Sequence, residues 1–419
     1  MTHALVFQLA RFGDLVQTKR LLCTLAAEHS THLCVDRSLA PLARLLYPQI
    51  TVHPLAAHGG NLSEVADFNR TAFAALAAEK FSCIYNLNHS PLNRALARLF
   101  PAEAVHGHYA HNGQALRSPW VDLAFRWTKQ RQIAPLNLAD LWAFLHPTPL
   151  LPHQVNPDAR PGGKGLGIVL SGREARRSLP VHVLAPCVRA AFEGLGGPDV
   201  YLFGSQSEHA LARGLARHLP SAVLGKVRNL CGKTDWAGLI DALVGLDCLL
   251  SPDTGTMHLA AHLGVPVQAF FLSSAWGHET GPYGAGHHVW QAYMDCLPCL
   301  ESAPCTLNMR CLDAFIQHGF LSAFAVTCGK GGLPDAHNAP PQILHLESDL
   351  DALGSTWNTL QGEDPYGAQR NALRAVLSEY LGLAPCRGGQ AQTAAQLYQE
   401  KDWMLTRLAP RSGIREYAV

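Results

Sequence analysis

Residues 249–271 constrain this 419-residue chain more than any other stretch. Leu249 and Leu250 end an apolar run that reads as a buried strand. Residues 251–255, Ser-Pro-Asp-Thr-Gly, form a turn. Residues 257–263 follow as a short helix, stopped by Gly264 and Pro266, and 265–271 is apolar again. Strand, turn, helix, strand is the unit from which parallel α/β sheets are built. The turn gathers Asp253, Thr254, Gly255 and His258 at a helix N-terminus, where unpaired backbone N–H groups and a partial positive charge suit a phosphate. Gly255 allows close backbone approach. Asp and Thr are also ordinary helix caps, so the local pattern leaves a ligand loop and a plain capped helix both open.

The same alternation runs through the chain. In the first half, strands are expected at 4–9, 32–35, 50–55 and 81–87. Helices are expected at 15–29, 39–46, 68–80, 121–131 and 136–145. Residues 150–165 are rich in Pro and Gly and read as a linker. A second set opens with strand 167–170, helix 181–193 and strand 200–203. The expected division is an N-terminal Rossmann-like domain over 1–155, a second over 165–328, and a mainly helical extension over 331–419. That extension would hold a strand at 343–346 and helices at 350–360, 368–381 and 393–408.

Composition removes several classes. Hydrophobic residues make up 48% and charged residues 16%, which suits a globular chain with substantial cores. A net charge of +1 carries no polyanion footprint, so a nucleic-acid partner is not expected. No apolar run reaches about 18 residues, and the first residues read as a strand rather than a leader. Residues 1–160 hold 14 Lys and Arg against 10 Asp and Glu, a modest surplus that favours an anionic acceptor or a peripheral membrane contact.

Cys296, Cys299, Cys305 and Cys311 fall within 16 residues and open with a Cys-x-x-Cys pair. Four thiols at this spacing suit one structural metal, either zinc or iron, the latter alone or as an iron–sulfur cluster. The other cysteines are scattered, which fits a reducing cytoplasm better than a disulfide framework. Incidental or reactive thiols are the competing reading.

Asp253-Thr-Gly-Thr-Met-His-Leu-Ala-Ala-His-Leu-Gly-Val-Pro266 resembles the nucleotide-sugar signature of the family 9 glycosyltransferases, the lipopolysaccharide heptosyltransferases and their relatives. Thr256 departs from the Pro or Leu more usual there. Arg11-Phe-Gly-Asp14 resembles the family's opening motif, Gly232-Lys-Thr its Gly-Lys-Thr segment, and Gly281-Pro-Tyr-Gly its Gly-Pro-Tyr-Gly loop. The resemblance covers about residues 4–328 and is weakest over 90–160.

It implies a GT-B fold, two Rossmann-like domains facing across a cleft. It implies transfer of a heptose-like sugar from an ADP-activated donor to a glycan, lipid-linked or protein acceptor, with inversion. Asp14 would be the catalytic base, although a helix cap is the plainer role for an acid there. Asp253, Thr254, Gly255, Met257 and His258 would hold the donor. Ser171 and Arg177 lie in the loop that faces the donor phosphates, with Arg177 where the family has Lys. Glu208 would bind the donor ribose. Arg11, Asn88 and His89, at strand ends on the acceptor side, would meet the acceptor. No organic cofactor is implied, and self-association through the cysteine loop is an expectation. A nucleotide-sugar epimerase of the same architecture and a non-catalytic metal-binding assembly protein are the alternatives.

Overall fold

The computed structural model describes residues 2–59, 61–124, 130–172, 175–300, 303–329 and 340–385. The first half runs β1 (His3–Gln8), α1 (Phe12–Gln17), α2 (Lys19–Glu28), β2 (Ser30–Asp36), α3 (Ala40–Leu46) and β3 (Thr51–Leu55). It continues through α4 (Leu62–Ala77), β4 (Phe81–Asn86), α5 (Pro91–Ala97), β5 (Val105–His111), β6 (Gln114–Arg117), α6 (Pro119–Ala124) and α7 (Leu138–Ala143). The strands form one six-stranded sheet in the order β3-β2-β1-β4-β5-β6. All neighbours are parallel except the final β5–β6 hairpin.

The second half runs β7 (Leu166–Val169), α8 (Val181–Gly194), β8 (Val200–Phe203), α9 (His209–Ala216), α10 (Ser221–Leu224), β9 (Val227–Asn229) and α11 (Trp236–Leu243). Then come β10 (Cys248–Pro252), α12 (Gly255–His262), β11 (Val267–Phe271), α13 (Gly277–Thr280), β12 (His288–Ala292), α14 (His318–Cys328), β13 (Ile343–Leu350), β14 (Ser355–Gln361) and α15 (Gly367–Tyr380). Eight strands lie in the order β14-β13-β12-β11-β10-β7-β8-β9. The chain therefore folds as GT-B: two α/β sheets, each with strand C-termini turned to a shared cleft, the usual ligand side of such sheets.

Each sheet is buried on both faces, which is why its central strands are continuously apolar rather than alternating. In the second sheet one face packs Ile168, Leu250 and Phe270 against Val188 of α8 and Phe320 and Phe324 of α14. The other face packs Leu249, Val267 and Phe271 against Met257 and Ala260 of α12.

Several expectations change. The helix expected over 15–29 is two helices, because the Thr18 hydroxyl donates to the Asp14 carbonyl at 2.8 Å and accepts from Gln8 Nε2 at 2.9 Å, turning the chain. The β5–β6 hairpin was not anticipated, yet Asn112 and Gly113 carry φ of 49° and 79°, the Asn-Gly turn that joins two strands.

The expected helix over 350–360 is overturned: Ser355–Gln361 is strand β14. It pairs antiparallel with β13, which pairs antiparallel with β12. The described part of the extension is thus a hairpin that lengthens the second sheet, followed by one helix, rather than a mainly helical module. That helix, α15, returns to the first half, where Leu373 and Leu377 are buried among Trp120, Val121 and Leu141. The helix expected over 393–408 lies outside the described residues.

Candidate functional site

Two turns, one from each half, meet in the cleft. The first follows β1. Arg11 is the N-cap of α1, and its backbone N–H donates to Asp14 Oδ2 at 3.0 Å. Behind this turn, fully buried Gln8 donates to the Asp14 carbonyl at 3.4 Å and accepts from Asn88 Nδ2 at 2.9 Å. The Asp14 carboxyl keeps some access to solvent. The protein around it still excludes enough water to raise its pKa, against the lowering influence of the Arg11 backbone N–H and guanidinium. His258 and Asp253 across the cleft also act on it, the first lowering its pKa and the second raising it.

The second turn follows β10. Thr254 caps α12, its hydroxyl accepting from the Met257 backbone N–H at 3.3 Å. Asp253 is buried. Burial alone would raise its pKa, but the ion pair with Arg177 and contributions from His258 and Thr280 prevail and hold it below the ordinary range. Thr280 Oγ1 donates to Asp253 Oδ2 at 3.0 Å, and His258 Nε2 lies 3.6 Å from Oδ1. His258 Nδ1 is buried with no hydrogen-bond partner among the described residues. A polar atom so placed is one that a ligand or water can satisfy.

The turns touch. A Cβ on Gly255 would stand 2.2 Å from the Phe12 ring, so only glycine lets Phe12 lie on the start of α12. Phe12 also meets Trp236 edge-on, with centroids 4.9 Å apart. Trp236 Nε1 donates to the Ser38 carbonyl at 3.2 Å, a further link across the cleft.

Ser171 Oγ donates to Glu208 Oε1 at 2.8 Å, and Glu208 Oε2 accepts from the Ser205 hydroxyl at 2.7 Å. These two candidates therefore stand together at the C-terminal ends of β7 and β8, beside the Asp253 loop. Four other candidates sit differently. Met257 is fully buried in the core beneath α12, where its side chain packs. Asn88 spends its amide holding β1, since Oδ1 accepts from the Leu9 backbone N–H at 2.8 Å while Nδ2 serves Gln8. His89 and Arg11 are exposed.

The four cysteines share one loop without closing on a point. Cys299 and Cys311 are partly buried, and Cys296 and Cys305 are exposed. Burial first, then the charges of Cys299, Cys296 and Cys305, together raise the Cys311 thiol to about 11, so the four sulfurs act on one another. No three of them come within 4.8 Å of each other, wider than the sulfur spacing of a closed tetrahedral site.

Residues that sequence reasoning missed support the site from a distance. Glu279 is clamped by Arg131, with Nε 2.8 Å from Oε2. Tyr283 donates to Asp140 at 2.7 Å, and Asp140 pairs with Arg20 at 2.6 Å. The loop that carries Thr280 is thus fastened to the first half. Its Gly-Pro-Tyr-Gly sequence was the available signal.

Residues 194–309 match the model of glycosyltransferase family 9 (heptosyltransferase). The matched stretch, in the second half of the chain, is similar to that family. The chain is a transferase enzyme, and two solved structures share its GT-B fold. One is the family 9 glycosyl transferase of Veillonella parvula, 17% identical, covering 70% of this chain and 88% of its own, with a TM-score of 0.54. The other is the E. coli heptosyltransferase WaaC with ADP, 16% identical, covering 70% and 93%, with a TM-score of 0.53. No curated protein sequence matches the chain.

Proposed function

We propose that this transferase moves a heptose-like sugar from an ADP-activated donor to an acceptor hydroxyl on a glycan, lipid-linked glycan or protein, with inversion. The observation that carries the reading is the meeting of the Asp14 turn with the Asp253–His258 turn across one cleft. Asp14 takes the proton from the acceptor hydroxyl as that oxygen attacks the anomeric carbon. Its raised pKa makes it a stronger base than an ordinary carboxylate. The N–H groups that open α12, with Arg177 and His258, stabilise the leaving diphosphate. Asp253 holds Arg177 and Thr280 in place rather than meeting the phosphates itself. Glu208 and Ser171 offer a carboxylate and a hydroxyl to the donor ribose.

Cys296, Cys299, Cys305 and Cys311 are proposed to hold one structural zinc or iron. The donor set fits, because four thiols that give up their protons to a cation are relieved of their mutual repulsion, and the loop has to tighten around it. The ion would brace the loop or an assembly contact and takes no part in transfer. No single helix among the described residues is long and apolar enough to cross a membrane. Work at the inner face of a membrane from the cytoplasm, through the basic first half, accords with a lipid-linked acceptor.

A thermal-shift panel of ADP-, UDP- and GDP-sugars tests the donor, since a ligand that binds only the folded state raises Tm. NMR of the product from the best donor then reads the configuration of the transferred centre. Equal shifts with all three nucleotides, or retention at that centre, would contradict the reading.

A further inference from the structure

The floor of the first sheet, at the end away from the cleft, carries a row of histidines that the transfer reaction does not use. His3 on β1, His32 on β2 and His53 on β3 share one face, because Leu5 pairs with His32 and Cys34 with His53 in the parallel register. His3 Nδ1 lies 3.3 Å from His32 Nε2, and His32 Nδ1 lies 2.9 Å from His53 Nε2. Glu79, between α4 and β4, reaches the same spot: its Oε2 is 3.3 Å from His3 Nδ1. The ligand atoms of His3, His32 and Glu79 all fall within 4.8 Å of one another. His32 and His53 are 5% and 8% exposed, whereas the His3 and Glu79 side chains are about a third exposed, 33% and 38%.

We propose that His3, His32 and Glu79 form a binding site for a divalent transition-metal ion, zinc in the first place. Two imidazoles and a carboxylate are a zinc donor set, usually completed by water. The spacing fits: with bonds of about 2.0–2.1 Å, the ligand atoms of a tetrahedral site stand about 3.3 Å apart, as both edges through His3 Nδ1 do. His53 supplies what a metal-bound histidine needs behind it, a partner that fixes the other ring nitrogen, since His32 Nδ1–H can donate to His53 Nε2. The edge of the Phe81 ring packs against His32, with centroids 5.1 Å apart, and limits its rotation. The exposed side, between His3 and Glu79, leaves the entry path and a place for water.

The site joins the N-terminal ends of β1 and β2 to the residues that lead into β4. An ion there staples the floor of the sheet, and its effect falls on stability rather than on transfer.

The test uses the whole chain, stripped with chelator and dialysed against graded Zn²⁺, with bound metal counted by elemental analysis. His3→Ala and Glu79→Gln alter partly exposed side chains, and circular dichroism confirms that they fold. The thiol loop contributes equally to each protein, so it cancels in the difference. Wild type should hold one more zinc equivalent than His3→Ala. Glu79→Gln should bind that equivalent roughly 10–100-fold more weakly. The rise in Tm that Zn²⁺ gives wild type should shrink in both. Equal stoichiometry and equal midpoints in all three proteins, or wild-type zinc lost entirely on alkylation of the thiols, would overturn the proposal.

Discussion

Asp14 and Asp253 stand at the starts of two helices that face each other, and their surroundings drive them in opposite directions. Asp14 receives one backbone N–H and sits in a drying cleft, so its pKa is raised. Asp253 is the more buried, yet Arg177, His258 and Thr280 surround it and its pKa is lowered. A carboxylate at a helix start is therefore only a blank. Partners brought in from distant parts of the chain decide whether it becomes a base or an anchor.

The largest effect should separate the two by rate. Asp14→Asn keeps the shape and removes the basicity, so transfer should fall about 10²–10⁴-fold with donor affinity nearly intact. An equal fall in Asp253→Asn with donor affinity unchanged would break the comparison.

Stability comes next. Arg177→Met leaves the Asp253 carboxylate buried without its main cation, which should cost about 3 kcal/mol in chemical denaturation. A loss under about 0.5 kcal/mol would mean that Asp253 does not depend on Arg177.

The pH dependence of stability should carry opposite signs. The folded pKa of Asp14 is raised, so its contribution is full below about 3.9, the ordinary value, and is lost as pH rises through its folded pKa. Asp14→Asn should therefore gain on wild type as pH rises from about 4 towards neutrality. The folded pKa of Asp253 is lowered, so its contribution is full above about 3.9 and is lost as pH falls through its folded pKa. Asp253→Asn should lose most at neutral pH and converge on wild type in acid. Melts of the three proteins across pH read both slopes, and slopes of one sign would refute the distinction.

The smallest effect sharpens the first turn. Asn88→Ala removes two hydrogen bonds at the end of β1 and should cost about 1–2 kcal/mol. His89→Ala, at an exposed position, should stay within about 0.5 kcal/mol by the same denaturation measurement.

Legibility in the sequence followed the range of the forces. Residues 249–271 could be read because Gly and Pro punctuate apolar runs locally. The Asn112-Gly113 hairpin was equally local and was passed over amid the histidines that flank it. Strand β14 was mistaken for a helix because its packing decides it: Trp357 lies against Gly281 and near His278, far away in sequence. Met257 belongs to the same motif as Asp253 and His258, while the roughly 3.6-residue turn of α12 carries its side chain into the core. The hydrogen bond from Thr280 to Asp253 and the clamp of Arg131 on Glu279 span 27 and 148 residues, beyond any local pattern.

The central claim is a division of labour between the two turns. Calorimetric titration of ADP-heptose into wild type, Asp14→Asn and Asp253→Ala tests it without any knowledge of the acceptor. Asp14→Asn should bind as wild type does, while Asp253→Ala, having released Arg177 and Thr280, should lose about 1–3 kcal/mol. Equal losses in both variants, or none in Asp253→Ala, would contradict it.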